Sequence, residues 1–341
     1  MRKYNVAIAG ATGAVGEELC RVLEDLDFPV GVLFPLASAK SVGKEVEFKN
    51  KSYKVLELTQ TIFAEKEIDI AFFSAGGNVS AHFAPFAAEA GAVVIDNTSH
   101  FRMDAEVPLV VPECNPDDIG AWKNKGIIAN PNCSTIQMVQ VLKPLDDVFD
   151  IKRVDVSTYQ AVSGAGKEGM EELVTQMQDF FAFKLSDSKH EKFQHQIALN
   201  VIPHIDVFTD NDYTKEEMKM VNETQKILNK NIEVSATCVR VPVLRSHCEA
   251  ITIHFNNSVD AAKAREVLRA APSLVIVDDP SKNEYPMPVI STDTDETYVG
   301  RIRKDLYRDN VLHLWCSADQ IRVGAATNAV RIAQKWIELE G

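Results

Sequence analysis

Cys133 lies in the segment NPNCST (residues 130–135), between a short apolar run at Ile127–Ala129 and an amphipathic stretch marked by Ile136, Val139 and Leu142. Asn-Pro favours a turn, and Asn132 is placed to cap the helix that follows. Cys133 then falls in the first helical turn, where free N–H groups and the helix dipole favour a thiolate. Most cysteines are small apolar core residues. That description suits Cys20, Cys114, Cys238, Cys248 and Cys316 better than Cys133.

A second chemical element is GATGAVG, with Gly10, Gly13 and Gly16 at i, i+3 and i+6 around Thr12, Ala14 and Val15. The spacing departs from GxGxxG, but a strand-like run precedes it and an amphipathic run follows. That is the setting in which glycines let backbone approach a pyrophosphate. The next strand ends in LASAKSVGK, which offers Ser38, Lys40 and Ser41 and no carboxylate before Glu45. Hydroxyls and a cation suit a 2′-phosphate, so NADP (NADPH) is expected rather than NAD. FFSAGG, with Ser74 and Gly76, ends a further buried strand and is a third candidate for contact with the dinucleotide.

A cysteine nucleophile beside a nicotinamide points to aldehyde oxidation or acyl reduction through a thiohemiacetal and a thioester. His247, in RVPVLRSH, is the candidate for handling the proton on the hemiacetal oxygen. Arg240 and His247 would face opposite sides of one continuous strand, so a break near Arg245–Ser246 is required.

These residues must be positioned by an alternation of strands and helices. Strands are expected at Tyr4–Ala9, Val30–Phe34, Ile68–Phe73, Ala92–Ile95 and Ile127–Ala129. Helices are expected after the glycine loop, where Val15, Leu19, Val22, Leu23 and Leu26 share a face, and at Ser80–Ala90. The pattern implies a mostly parallel sheet covered on both faces. From about Lys152 the texture changes to longer β-rich runs, at Arg153–Gln160, Ile232–Val243 and Ala250–Phe255. Helices near Lys167–Phe183 and Lys215–Leu228 interrupt them, as in an α+β domain with one sheet face exposed or covered by a partner. Gly324–Leu339 is again a helical pattern.

The 341 residues carry a formal charge of −13, which argues against a nucleic-acid partner. No run approaches a membrane span, and glycines interrupt the opening MRKYNVAIAGATG before a signal-peptide core forms. Six cysteines without a CxxC pair suggest a reducing, cytoplasmic setting. His195 and His204 show no metal-ligand spacing, so they are expected to be structural or interface residues, and no metal is expected.

The combination GATGAVG, DNTSHFRM, NPNCST, YQAVSGAG, EEMK, RVPVLRSH and GAATNAVRIA, in this order, resembles the aspartate-β-semialdehyde dehydrogenase family in its short bacterial form. The resemblance implies a Rossmann-like NADP-binding domain, residues 1–132 plus 324–341. It also implies an α+β catalytic and dimerisation domain like the C-terminal domain of glyceraldehyde-3-phosphate dehydrogenase, residues 133–323. The implied reaction is NADPH-dependent reduction of L-aspartyl 4-phosphate to L-aspartate 4-semialdehyde with release of phosphate. It serves lysine (diaminopimelate), methionine, threonine and isoleucine biosynthesis, in a homodimer.

By the same resemblance Cys133 is the nucleophile, His247 the acid/base and Gln160 the residue orienting the reacting group or its water. Arg102 and Asn132 would contact phosphate, Arg240 the substrate α-carboxylate, Glu216 its α-amino group and Lys219 the phosphate. Ser163, Gly164 and Asn328 match positions near the nicotinamide. Thr214 and Glu217 read as a capping box, which gives Glu217 a structural role and leaves Glu216 available. Lys40 stands where many relatives carry arginine and lacks the guanidinium fork. Two other readings are an N-acetyl-γ-glutamyl-phosphate reductase and a non-catalytic Rossmann regulator. The first is disfavoured by the Glu216, Lys219 and Arg240 set, the second by the presence of Cys133, His247 and Arg102.

Overall fold

The computed structural model describes residues 2–340, which fall into two compact units, Met1–Asn132 with Gly324–Gly341 and Cys133–Val323. In the first, β1 (Tyr4–Ala9), α1 (Ala14–Asp25) and β2 (Val30–Ala37) are followed by a hairpin of β3 (Glu45–Phe48) and β4 (Lys51–Lys54). β5 (Leu56–Glu57), α2 (Ile62–Glu65), β6 (Ile70–Phe73), α3 (Gly77–Glu89), β7 (Val93–Asp96) and β8 (Ile127–Ala129) complete the run. The sheet has the order β5-β2-β1-β6-β7-β8, every neighbouring pair parallel. Successive strands run outward from β1 in both directions, so the crevice at the carboxyl ends of β1 and β6 is a topological switch point. Val6 and Ile8 on β1, Leu19 and Leu23 on α1, and Ile70 and Phe72 on β6 share one core. Each such side chain contributes roughly 1.5–3 kcal/mol by leaving water.

The second unit opens with α4 (Cys133–Phe149), β9 (Ile151–Gln160), α5 (Lys167–Phe181), α6 (Lys215–Leu228) and β10 (Glu233–Arg240). β11 (His247–Phe255), α7 (Ala261–Ala270), β12 (Leu274–Ile276), α8 (Pro288–Ser291), β13 (Thr297–Lys304) and β14 (Val311–Ala318) follow. Its sheet, β10-β9-β11-β14-β13-β12, is antiparallel except for the β9–β10 and β12–β13 pairs. One face is buried: Met138 and Leu142 of α4, Met220 of α6 and Leu268 of α7 share a core with Val154, Val156, Ile251 and Leu314. The other face leaves Tyr159 39% exposed, its ring 5.1 Å from that of Trp315. One-sided burial accounts for the alternation along β9.

The chain then returns to the first unit through a π-helical turn, Arg322–Thr327, and α9 (Asn328–Glu340). Ala329, Val330, Ile332 and Ala333 join the core of the first sheet, and Trp336 sits edge-on to Tyr4.

Several boundaries differ from the sequence reading. The expected helix from Gly324 begins with the π turn. The run Ile232–Val243 ends as a strand at Arg240, because residues 241–246 bend away to redirect His247. β2 extends to Ala37, and the expected helix at Ser80 starts three residues earlier, at Gly77. The β3–β4 hairpin and the strands β13 and β14 were not anticipated.

Candidate active site

Glycine places the nucleotide loop. Gly10 adopts a φ of +93°, and a Cβ there would stand 2.9 Å from the Ser74 carbonyl carbon. A Cβ on Gly16 would stand 2.2 Å from the Gly10 carbonyl oxygen, so the loop packs backbone on backbone against the start of α1. Gly13 is the N-cap of α1 and supplies no side-chain hydrogen bond, which leaves the first-turn N–H groups around Ala14 and Val15 for an anion. Thr12 is half-buried in the same loop.

Ser38 and Lys40 are exposed directly after β2, and Ser41 is half-buried. Ser74 donates through Oγ to Ala9 O at 3.2 Å. Gly76, at φ +96°, precedes α3 with open space where its Cβ would be. All three loops follow parallel neighbours β1, β2 and β6, so they share the carboxyl edge of one sheet.

Asn328, at the start of α9, is 1% exposed and donates through Nδ2 to Val110 O at 3.0 Å and Asn130 Oδ1 at 2.6 Å. Its own Oδ1 is buried without a donor, an acceptor that a carboxamide NH₂ would satisfy. Backbone cradle, open helix terminus and orphaned acceptor together fit a dinucleotide. Arg102 is buried in the same unit; Nε donates to Asn130 O at 2.9 Å and a terminal nitrogen to Asn97 O at 2.8 Å. Asn132, also buried, ends the first of the two chain segments that make up this unit.

The second unit brings together the candidate reactive groups. α4 begins at Cys133, so the thiol occupies the first helical turn. Cys133 is half-buried, whereas the other five cysteines are buried. Burial pushes the Cys20 thiol up to about 12 and that of Cys248 to about 11, which makes them poor nucleophiles near neutrality.

His247 is fully buried at the start of β11. The break before it is real: Ser246 adopts a φ of +74°, and Gln320 Oε1 accepts its backbone N–H at 2.9 Å. Asp319 supports the same bend by pairing with Arg245 at 2.7 Å. The Ala161 N–H donates to His247 Nδ1 at 3.0 Å, which assigns the proton of the neutral ring to Nε2. Nε2 has no partner. Burial first, then the Arg240 cation, push the imidazole down to about 3, with Glu216 opposing.

A Cβ on Gly164 would lie 3.0 Å from an Arg240 nitrogen and 3.1 Å from His247 Nε2, so this exposed glycine closes over both groups. Arg240 donates to Ala161 O at 2.7 Å. Burial lowers the guanidinium pKa, and electrostatic interactions with Glu216 and Cys133 counter it, which puts Cys133 in the field of Arg240.

Glu216 Oε1 accepts from Gln160 Nε2 at 3.2 Å, and Oε2 pairs with Lys219 at 2.9 Å. Gln160 Oε1 accepts from Thr158 Oγ1 at 3.0 Å. The capping box forms as read: Glu217 N donates to Thr214 Oγ1 at 3.3 Å, and Thr214 N to Glu217 Oε2 at 2.7 Å. Glu217 Oε1 also accepts from Cys238 N, so this carboxylate is committed to backbone while Glu216 faces Gln160. Ser163 is buried, and its Oγ accepts from Gln320 Nε2.

Cys133, His247, Gln160, Glu216, Lys219, Arg240, Ser163 and Gly164 therefore belong to one unit; Arg102, Asn132, Asn328 and the glycine loops belong to the other. Sequence reading missed Asp206, which holds Lys219 from a second side at 2.9 Å, and the Asp319–Gln320 pair behind His247. Neither carries a local signal. His195 is exposed, and His204 stacks on Phe208 with ring centroids 4.4 Å apart. Among the described residues no group of three or more His, Cys, Asp or Glu side chains could hold a metal ion, and no helix is long and apolar enough to cross a membrane.

Family models for the semialdehyde dehydrogenase NAD binding domain and dimerisation domain match residues 5–122 and 142–323. The chain is 71% identical, over 99% of both chains, to an aspartate-semialdehyde dehydrogenase of Campylobacter jejuni. Its fold superposes on aspartate semialdehyde dehydrogenase II from Vibrio cholerae complexed with ASA at a TM-score of 0.97, with 47% identity and all of both chains covered. A more distant likeness, TM-score 0.77 at 25% identity over 98% of this chain and 99% of the other, is to the Candida albicans enzyme with NADP. The half-buried cysteine at the start of α4, the buried histidine and the backbone-lined glycine loop thus occur in a chain that belongs to the aspartate-semialdehyde dehydrogenase family.

Proposed function

We propose that the protein reduces L-aspartyl 4-phosphate to L-aspartate 4-semialdehyde and phosphate with NADPH, and the reverse in the presence of phosphate. Cys133 Sγ attacks the acyl carbon and phosphate leaves, forming a thioester. The bound dinucleotide supplies the hydride that converts this thioester to a thiohemiacetal. His247 Nε2–H donates a hydrogen bond to the oxygen that becomes negative as the hydride arrives, and holds it until the C–S bond breaks, the electron pair returns to Cys133 as thiolate and the aldehyde departs. The single observation that carries this reading is the uncommitted Nε2 of a buried, neutral His247, set against Gly164 and Arg240 in the unit that Cys133 opens.

The guanidinium of Arg240 binds the substrate α-carboxylate and Glu216 its α-amino group, with Gln160 keeping the Glu216 carboxylate oriented. Lys219, Arg102 and Asn132 bind the phosphoryl group. Gly10, Thr12, Gly13, Ala14, Val15 and Gly16 hold the pyrophosphate, with Ser74 and Gly76 beside it. Ser163, Gly164 and Asn328 hold the nicotinamide end.

Ser38, Lys40 and Ser41 bind the 2′-phosphate; the absence of a carboxylate in this loop supports NADP over NAD. Residues 1–132 with 324–341 act as the dinucleotide domain and 133–323 as the catalytic and dimerisation domain. The open sheet face with Tyr159 and Trp315 supports a homodimer. The enzyme works in the cytoplasm in lysine (diaminopimelate), methionine, threonine and isoleucine synthesis.

Phosphate-dependent reduction of NADP with aspartate semialdehyde tests the reading. Wild type should turn over and Cys133→Ala should not; an inactive wild type, or activity only with N-acetylglutamate semialdehyde, would reject it.

A further inference from the structure

A buried polar layer, unused by the chemistry above, lies in the same helix and strand as the reacting pair. α4 carries Cys133 and, four residues on, Gln137; β11 carries His247 and, two residues on, Glu249. Each spacing keeps both side chains on one face of its element. Gln137, His247 and Glu249 have no exposed surface.

Cys316 of β14 stands directly opposite Glu249 in the antiparallel register. Gln137 Nε2 donates to Cys316 Sγ at 3.6 Å, and Cys316 Sγ donates to Glu249 Oε2 at 3.6 Å. The two remaining oxygens, Gln137 Oε1 and Glu249 Oε1, are buried acceptors without a donor among the described residues. A proton on Glu249 would make one of them a donor. Burial favours that proton, pushing the Glu249 carboxyl well above the usual range against the opposing hydrogen bonds of Cys316 and Gln137.

We propose that Glu249 is a positioning residue of the reaction, fixing the first turns of α4, which carry Cys133, to the strand that carries His247 by way of Cys316 and Gln137. The inference rests on the reading that Cys133 and His247 are the reacting pair. Apolar packing alone lets a helix slide or turn against a sheet, whereas directional hydrogen bonds hold its register. A nucleophile displaced by about 1 Å loses roughly 10²-fold in rate. The layer suits a neutral acid: a carboxylate two residues from His247 would favour the protonated imidazole and undo the neutral ring that the site holds.

The test uses Glu249→Gln, Glu249→Leu and Gln137→Leu in the full-length protein, assayed for phosphate-dependent NADP reduction with aspartate semialdehyde. Glu249→Gln, which mimics the neutral acid, should stay within about threefold of wild-type kcat with an unmoved pH–rate profile. Both leucine variants should keep their circular dichroism and the semialdehyde KM, yet lose about tenfold or more in kcat. The double leucine variant should be no worse than the poorer single, as expected of residues acting through one link.

Folded leucine variants with kcat within about twofold of wild type would overturn the proposal. So would a Glu249→Gln variant as impaired as Glu249→Leu with its pH profile displaced, since that outcome requires an ionised carboxylate. Should Glu249→Leu not fold, Gln137→Leu decides by the same criterion. Cys133→Ala, run in parallel, separates the two ideas. Retained turnover there rejects the nucleophile; a dead Cys133→Ala beside fully active leucine variants rejects only the positioning role.

Discussion

The two units solve their tasks with different materials. Around Gly10 the contacts are backbone on backbone: the Gly16 Cα faces the Gly10 carbonyl, and the N-cap Gly13 contributes no side chain. Around His247 the contacts are buried side chains drawn from β9, α6, β10 and β11, with Gln160, Glu216, Lys219 and Arg240 linked by hydrogen bonds and charge. The difference teaches what each ligand demands. A pyrophosphate is satisfied by N–H groups and a helix terminus, whereas a small substrate with three charged groups needs distinct side chains fixed in a low-dielectric setting.

If that division is right, Cys133→Ala should abolish turnover, by about 10⁴-fold or more, while NADP affinity by fluorescence titration stays within about twofold. A parallel loss of affinity would break the contrast. His247→Asn should cost about 10²–10⁴-fold in kcat, again without weakening the dinucleotide. In the other unit, Gly16→Ala must displace the Gly10 carbonyl 2.2 Å away and should raise the NADP KM by about tenfold or more. Gly13→Ala, whose nearest neighbour is 3.4 Å distant, should be tolerated. Equal effects of the two alanines on KM would show that backbone approach is not what the loop provides.

A pH experiment sharpens the comparison from the side of stability. His247 has an ordinary pKa of 6.5 and is pushed down to about 3 in the fold. Below 6.5 an unfolded chain takes up a proton that the native ring refuses, so the stability from a neutral ring is complete above 6.5 and lost as pH falls toward 3. The wild-type Tm should therefore fall more steeply than that of His247→Asn between about pH 6.5 and about pH 4, in differential scanning fluorimetry. Parallel curves would mean that the histidine is not held neutral by burial. The smallest effect is expected at Thr214→Ala, which removes a helix cap and should cost about 1 kcal/mol of stability in denaturant titration, with kcat unchanged.

Legibility followed the range of the interactions. The Thr214–Glu217 capping box is local and forms as read, committing Glu217 to backbone while Glu216 meets Gln160. The parallel sheet was legible because its strands are buried on both faces and read as apolar runs. The β3–β4 hairpin escaped because its turn places Lys49 at φ +48° and Asn50 at +56°, and only asparagine is a habitual turn former there. Asp206 escaped because it meets Lys219 from a loop thirteen residues away along the chain.

The chain order of the motifs, the glycine spacing and the position of Cys133 after Asn-Pro-Asn were set by sequence alone, because each acts through neighbours along the chain. Only the tertiary structure decided that His247 is neutral with its proton on Nε2, that Glu216 is shared by Gln160 and Lys219, and that Glu249 is buried on the face of β11 that also carries His247. Those properties depend on burial and on partners up to scores of residues distant, and the free energy of a charge or a proton is fixed by what surrounds it in space.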